Sequence, residues 1–131
     1  MKGIIQVSGT RKRAVARAAL KDGSGKVKIN GKFLENYGNG VLRLRVQEPL
    51  VLVGDLASKV DLQISVAGGG ANGQADAIRL AIARALVEYD KKLKKTFEDY
   101  DRLLLVADVR RKEACKPGIS KARAKRQKSY R

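Results

Sequence analysis

The sequence predicts an α+β fold: a two-layer β-α-β sandwich, a small sheet with helices on one face, followed by a long extended basic C-terminal tail. Three observations point there. Short segments of alternating apolar and polar residues, separated by Gly, Asn and Asp, fill residues 4–30 and recur at 61–67, which is the period of half-buried strands. A long apolar stripe at helical spacing follows residue 73, as an amphipathic helix requires. Beyond residue 109 large apolar residues almost vanish and bases take over. A chain of 131 residues favours one domain and can bury a core without staples. The expected division is a body over 1–109 and a tail over 110–131.

Each element has its own signal. IIQVSG at 4–9 reads as a strand, and AVARAALK at 14–21 as a second. DGSG at 22–25 is a turn signal leading into KVKIN at 26–30, where Val27 and Ile29 face one side and Lys26 and Lys28 the other. Asn30-Gly31 closes that strand. VLRLRVQEPLVLVGD at 41–55 is interrupted by Pro49, which removes a helical donor and crowds the preceding turn, so two short helices are expected. DLQISVA at 61–67 is a strand with Leu62, Ile64 and Val66 on one face. The clearest periodicity follows the glycines: Ala75, Ile78, Ile82, Ala85, Leu86 and Tyr89 form one stripe about four turns long. Arg79 and Arg84 lie off its centre. KKLKKTFEDY at 91–100 reads as a further short helix, and RLLLVAD at 102–108 as a buried strand. With no tryptophan and six aromatic residues, the core must lean on Val, Ile, Leu and Ala.

Charge narrows the function. Lys and Arg number 29 against 13 acids, a net charge of +16. A small protein this basic calls for a polyanionic partner. Nucleic acid leads and an anionic membrane surface comes second. No segment approaches the roughly 18 apolar residues of a membrane span. MKGIIQVSGTRKR lacks the apolar run of a signal peptide, so an intracellular protein is expected. Cys115 is the one cysteine and there is no histidine, so a free thiol is expected and no metal site. The charge is uneven: residues 110–131 carry +9 and residues 1–109 carry +7. Ile119 is the tail's only aliphatic residue larger than Ala, so alone the tail should be disordered.

GGGANG at 68–73 has the G-x-G-x-x-G spacing of a dinucleotide loop, between a strand and a helix. The rest of that site is missing. An acid-ended strand should follow within about 20 residues, whereas the next strand signal ends near Asp108, there is no histidine, and no Walker lysine follows the glycines. An enzyme using a nucleotide cofactor is therefore not expected, and no cofactor is assigned. GANG at 70–73 also matches a KH loop, but a strand precedes it where a helix is needed,. Two readings of the glycines stay open. They bring a helix N-terminus and its positive dipole end to an RNA phosphate, or they only make a tight turn.

Bases cluster elsewhere too. TRKRAVAR places Arg11, Lys12, Arg13 and Arg17 close together without an acid, and a phosphate-facing patch is favoured over a solvated strand edge. The tail mixes Arg and Lys for phosphates with Tyr130 for stacking, which suits RNA. It has no apolar anchor face for a membrane. Residues 116–131 can reach about 50 Å when extended.

SGTRKRAVARAALKDGSGKVKINGK, then GGGANGQADAIRLAIARALVEYD, then RLLLVADVRRKEACKPGISKARAKRQKSYR closely resemble the S-nine family of small-subunit ribosomal proteins. The ending KRQKSYR resembles its archaeal and eukaryotic branch. The resemblance covers nearly the whole chain, with residues 32–60 matching only loosely. It implies a fold like the second domain of ribosomal protein S-five, with a left-handed β-α-β crossover. It implies a cytoplasmic place in the small-subunit head, on the 16S-type ribosomal RNA and beside other head proteins. It further implies a tail whose end touches the anticodon stem-loop of P-site tRNA. Carried onto this chain, Lys128, Ser129, Tyr130 and Arg131 are the expected tRNA contacts. The expected ribosomal RNA contacts in the body are Arg11, Lys12, Arg13, Arg17, Gly68, Gly69, Gly70, Gly73, Gln74 and Arg79. In the tail they are Arg110, Arg111, Lys112, Lys116, Lys121, Arg123, Lys125 and Arg126. One departure stands out: PGISKAR occupies a stretch that is glycine-richer in many relatives of this branch, which bears on the tail's local path.

Overall fold

The structure, a computed structural model, describes residues 3–125. Strand β1 (Ile5–Arg11) turns at Lys12 and Arg13 into β2 (Ala14–Asp22), followed by β3 (Val27–Ile29) and β4 (Lys32–Phe33). Helix α1 (Gly40–Val53), a 3-10 turn over 54–59 and strand β5 (Val60–Ala67) come next, then helices α2 (Ala71–Tyr89) and α3 (Leu93–Tyr100). The five strands form one mixed sheet in the order β1-β2-β5-β3-β4. β3 and β5 are parallel and the other neighbours antiparallel. Three helices pack on this sheet, so the α+β expectation holds.

The alternation seen in the sequence decides which face is covered. Ala14, Ala16, Ala18 and Leu20 of β2, Val27 and Ile29 of β3, and Leu62, Ile64 and Val66 of β5 are all buried. Their neighbours Arg17, Lys21, Lys28, Gln63 and Ser65 are exposed. All five residues of the expected α2 stripe before Tyr89 are fully buried, and Ala77, Ala81 and Ala83 are buried with them. α2 is enclosed because the sheet lies on one side of it and α1 and α3 on the other. Small side chains allow a close approach. At Gly9 of β1 an added Cβ would lie 2.5 Å from the Ala77 carbonyl and 2.7 Å from the Ala81 nitrogen. The core is aliphatic as expected, with Phe97 of α3 the one buried aromatic ring among the described residues.

Three elements differ from expectation. β4 was not foreseen. Asn30 and Gly31 take φ of 50° and 82°, the two positive values of a tight hairpin turn, so the chain doubles back rather than ending its strand. The Asn30 side chain also accepts from the Val66 N–H at 2.9 Å and donates to its carbonyl at 3.1 Å, tying the hairpin to β5. Second, residues 41–55 hold one helix rather than two, with Pro49 inside it. Asn39 caps it through Leu42 N–H at 3.0 Å. Pro49 forfeits one backbone bond, but its ring is buried with Leu42 and Val46 on the face turned to the core.

Third, residues 102–108 are not a strand. They open with a 3-10 turn over Arg102–Leu104, capped by the Asp101 carboxylate on Leu103 N–H at 2.9 Å. Arg84 of α2 then donates to the Leu105 carbonyl at 3.0 Å. These bonds satisfy backbone groups that a strand would have offered to a sheet edge. Only Leu104 in the run is buried.

Two alanine substitutions test the packing in opposite directions. Gly9→Ala must push α2 from the sheet and should cost about 1–3 kcal/mol by overpacking. Gly73→Ala adds a Cβ with ordinary contacts, the nearest at 3.6 Å, inside the first turn of a helix. It should gain about 0.5–1 kcal/mol. Urea denaturation of each variant checks both signs.

Candidate nucleic-acid interface

Three stretches far apart in sequence meet at one end of the sandwich. They are the β1–β2 turn, the glycine loop with the start of α2, and residues 111–115. Arg11, Lys12, Arg13, Gly69, Gly70, Ala71, Asn72, Gly73, Arg111, Lys112 and Cys115 are among the residues lining a cleft of about 910 Å³ between them. The glycines make the meeting possible. Gly68 sits at φ 79°, where an added Cβ would lie 2.5 Å from the Arg13 carbonyl, so no other residue fits there without displacing the β1–β2 turn. Gly70 has open space around it. The tight-turn reading holds for Gly68 and Gly69, while Gly69, Gly70 and Gly73 line the cleft.

α2 begins at this wall with Gly70 as its cap and no capping side chain. The first-turn N–H groups of a helix carry a partial positive charge suited to an anion. Gln74 donates back to the Gly68 carbonyl at 3.0 Å and braces the loop. On the far side Arg111 donates to the Lys12 carbonyl at 2.6 Å, which seats the chain beyond the body on the β1–β2 turn.

Electrostatics divides the bases into two groups. One is neutralised inside the protein. Arg11 lies between Asp76 at 3.7 Å and Asp108 at 3.5 Å, and its buried Nη1 makes no hydrogen bond. Arg45 meets Asp76 at 3.0 Å and Arg110 meets Asp108 at 2.6 Å. Arg79, only 13% exposed, bridges Glu48 at 2.6 Å and Asp101 at 3.1 Å. Hydrogen bonds from the Arg110 side chain and N–H, with Arg11 nearby, hold the Asp108 carboxyl far below its usual range against the effect of burial. The Leu103 N–H and then Arg79 lower Asp101 in the same way. The other group is free: Lys12, Arg13 and Lys112 line the cleft and make no salt bridge among the described residues.

The structure therefore gathers Arg11, Lys12, Arg13, Gly69, Gly70, Gly73, Arg111 and Lys112 of the expected contacts. Arg17 stands elsewhere, exposed on the uncovered sheet face. Arg79 is committed to two carboxylates within the body. Lys116, Lys121, Arg123 and Lys125 are exposed further along the chain, with Arg123 paired to Glu113 at 2.8 Å. Arg126, Lys128, Ser129, Tyr130 and Arg131 lie outside the described residues. Asn72 lines the cleft without having been singled out; it sits inside the glycine motif, which was its only signal. Among the described residues no strand follows α2, so the second strand of a dinucleotide fold is missing. No group of three or more His, Cys, Asp or Glu there could hold a metal, and no helix is long and apolar enough to cross a membrane.

Known proteins resemble this chain over nearly its whole length. The family described as Ribosomal protein S9/S16 matches residues 9–131. The chain is 52% identical over 126 residues to the small ribosomal subunit protein uS9 of Thermoplasma acidophilum, covering 95% of this chain and 98% of the relative. It is 50% identical over 125 residues to that of Pyrobaculum aerophilum, covering 94% and 88%. Identity to the protein of the same name from Picrophilus torridus is 50% over 130 residues, covering 98% and 97%.

The ion pairs around the cleft give a pH signature. A carboxyl held low in the folded state stabilises above its unfolded value, about 3.9, and that stability is lost as pH falls through the folded value. Asp108→Asn should therefore be less stable than the parent by a constant amount from pH 7 to 5. The gap should shrink below about pH 4. Denaturant midpoints of both proteins across that range check it.

Proposed function

The chain belongs to the ribosomal protein S9/S16 family, is a ribosomal protein rather than an enzyme, and on that premise we propose a two-part role in the small ribosomal subunit. The body, residues 1–109, binds 16S-type ribosomal RNA in the subunit head beside neighbouring head proteins. The tail, residues 110–131, runs extended through RNA, and its end contacts the anticodon stem-loop of P-site tRNA. The place of work is the cytoplasm.

The observation that carries the body's role is the cleft. Two basic stretches converge on an uncapped helix start, and Lys12, Arg13 and Lys112, which form no salt bridge among the described residues, face it. A phosphate there would meet Lys12, Arg13 and Lys112 together with backbone N–H groups, and such contacts dominate RNA affinity. Arg11 and Gln74 are better suited to positioning, since the one is held by Asp76 and Asp108 and the other by the Gly68 carbonyl. Arg17, Gly68, Gly69, Gly70, Gly73, Arg79 and the tail bases Arg110, Arg111, Lys116, Lys121, Arg123, Lys125 and Arg126 complete the proposed ribosomal RNA set. Lys128, Ser129, Tyr130 and Arg131 form the tRNA set, in keeping with the family resemblance and with a tail long enough to reach a remote site. The finer fold likeness, to the second domain of ribosomal protein S-five with a left-handed crossover, belongs to the same proposal. The parallel pairing of β3 and β5 on either side of α1 supplies its β-α-β unit.

Crosslinking in assembled small subunits tests the division of labour. The full chain and one lacking residues 128–131 are compared for crosslinks to P-site tRNA and to ribosomal RNA. The expected result is loss of tRNA crosslinks with ribosomal RNA crosslinks retained. Failure of the shortened chain to join the subunit, or tRNA crosslinks that survive the truncation, would overturn it.

A further inference from the structure

The sheet has a second face that no helix covers. Arg17 and Lys21 of β2 and Lys28 of β3 are exposed on it, while their strand neighbours are buried on the opposite face. Lys26, at the entry to β3, joins Lys21 and Lys28 around a shallow depression of about 350 Å³. That hollow shares Ala19 and Gln63 with a wider one of about 740 Å³, lined also by Gln6, Ser8, Arg17 and Ser65. The wider hollow and the cleft at the start of α2 have no lining residue in common.

The register lays out the chemistry in rows. One row crosses all five strands as Gln6, Ala19, Gln63, Lys28 and Phe33, a span of about 19 Å at the usual strand spacing. A second runs Ser8, Arg17, Ser65. The centre is polar and rich in hydrogen-bonding amides and hydroxyls, while Ile4, 67% exposed, stands at the β1 edge of the smaller hollow. Phe33, 44% exposed, stands at the β4 edge with the Lys28 ammonium 5.1 Å from its ring centre.

Arg17, Lys21, Lys26 and Lys28 form no salt bridge among the described residues. The acid among them, Asp61, is turned into the β2–β3 turn, where it accepts the N–H groups of Ser24 and Lys26, each at 2.9 Å. The face therefore carries four cations against the one carboxylate of Asp61, which lies near Lys21, and stays net positive. A protein partner would need an apolar or aromatic anchor near the centre of the contact, and the centre offers Ala19. An RNA strand needs phosphate-binding cations, donors for sugar hydroxyls and an aromatic ring for stacking, all of which are present.

We infer that this open sheet face is a second RNA-binding surface, separate from the cleft, which takes a sugar–phosphate backbone across the strands and ends in a stacking site at Phe33. The protein then bridges two RNA segments, one on the sheet and one at the start of α2. The inference rests on the proposed RNA-binding role and adds a partner surface to it.

A thiol-directed photocrosslinker placed on each surface tests it in assembled small subunits. The native Cys115 lines the cleft and is exposed, so it serves the first surface. Gln63→Cys with Cys115→Ser serves the second. The expected result is RNA crosslinked from both positions, at two different segments. Crosslinks from position 63 to protein only, none from that position while Cys115 labels RNA, or the same segment from both would overturn the bridge and leave the cleft reading standing. No RNA from either position would remove both. In parallel, the combined Arg17→Gln, Lys21→Gln, Lys26→Gln, Lys28→Gln chain should keep its thermal midpoint and bind ribosomal RNA at least about tenfold more weakly, as loss of several phosphate contacts requires. Unchanged affinity would overturn the inference.

Discussion

Everything in this molecule is arranged around the contact between α2 and β1 at Gly9. There the helix backbone comes so near the strand that a single methyl group would collide with it. Alanines at 77 and 81 on the helix and at 14, 16 and 18 on β2 extend the same close fit. The consequences run in both directions along α2. Its middle buries the inner faces of β1, β2 and β5. Its N-terminus is carried to the β1–β2 turn, where Gly68 and Gly69 let the chain pass over Arg13 and Ala14. One packing constraint thus builds the core and sets a helix start beside clustered bases.

The second organising principle is where the acids are placed. Against 29 bases the chain has 13 acids, and several are used to hold arginines between elements: Asp76 and Asp108 around Arg11, Glu48 and Asp101 around Arg79. Half-buried pairs of this kind position side chains more than they stabilise. Their effect on function is subtractive. Among the bases left without a salt bridge are Lys12, Arg13 and Lys112 at the cleft and Arg17, Lys21, Lys26 and Lys28 on the bare sheet face. Net charge alone calls for a polyanionic partner; the placement of carboxylates shows which bases are already paired.

Much of this was legible in the sequence, for physical reasons that differ by element. Period two in β2, β3 and β5 named the buried face because those strands are covered on one side only. The α2 stripe was legible because Ile78, Ile82 and Leu86 face one way, although Leu80 and the alanines off the stripe are buried too. Pro49 misled because the usual cost of an internal proline is offset by burying its ring. RLLLVAD misled because an apolar run states hydrophobicity and not what it packs on; here Asp101 and Arg84 take its backbone groups before a sheet edge can. For the site, the three basic or glycine-rich stretches were each visible, but their meeting was not, since it depends on the α2 packing. Arg79 and Arg11 looked like free bases because nothing local in the sequence marks carboxylates that arrive from 22 to 97 residues away.

The central claim is that unpaired bases, not total charge, hold RNA at the cleft. The salt dependence of binding to 16S-type ribosomal RNA tests it most directly, because each phosphate contact adds about 0.7–0.9 to the log–log slope. Two full-length variants are compared with the parent: Lys12→Gln, Arg13→Gln, Lys112→Gln together, and Arg45→Gln, whose arginine is paired with Asp76. The slope should fall by about 2–3 in the first and stay nearly unchanged in the second. A first variant with the parent's slope, or a second that loses a full contact's worth, would contradict the claim.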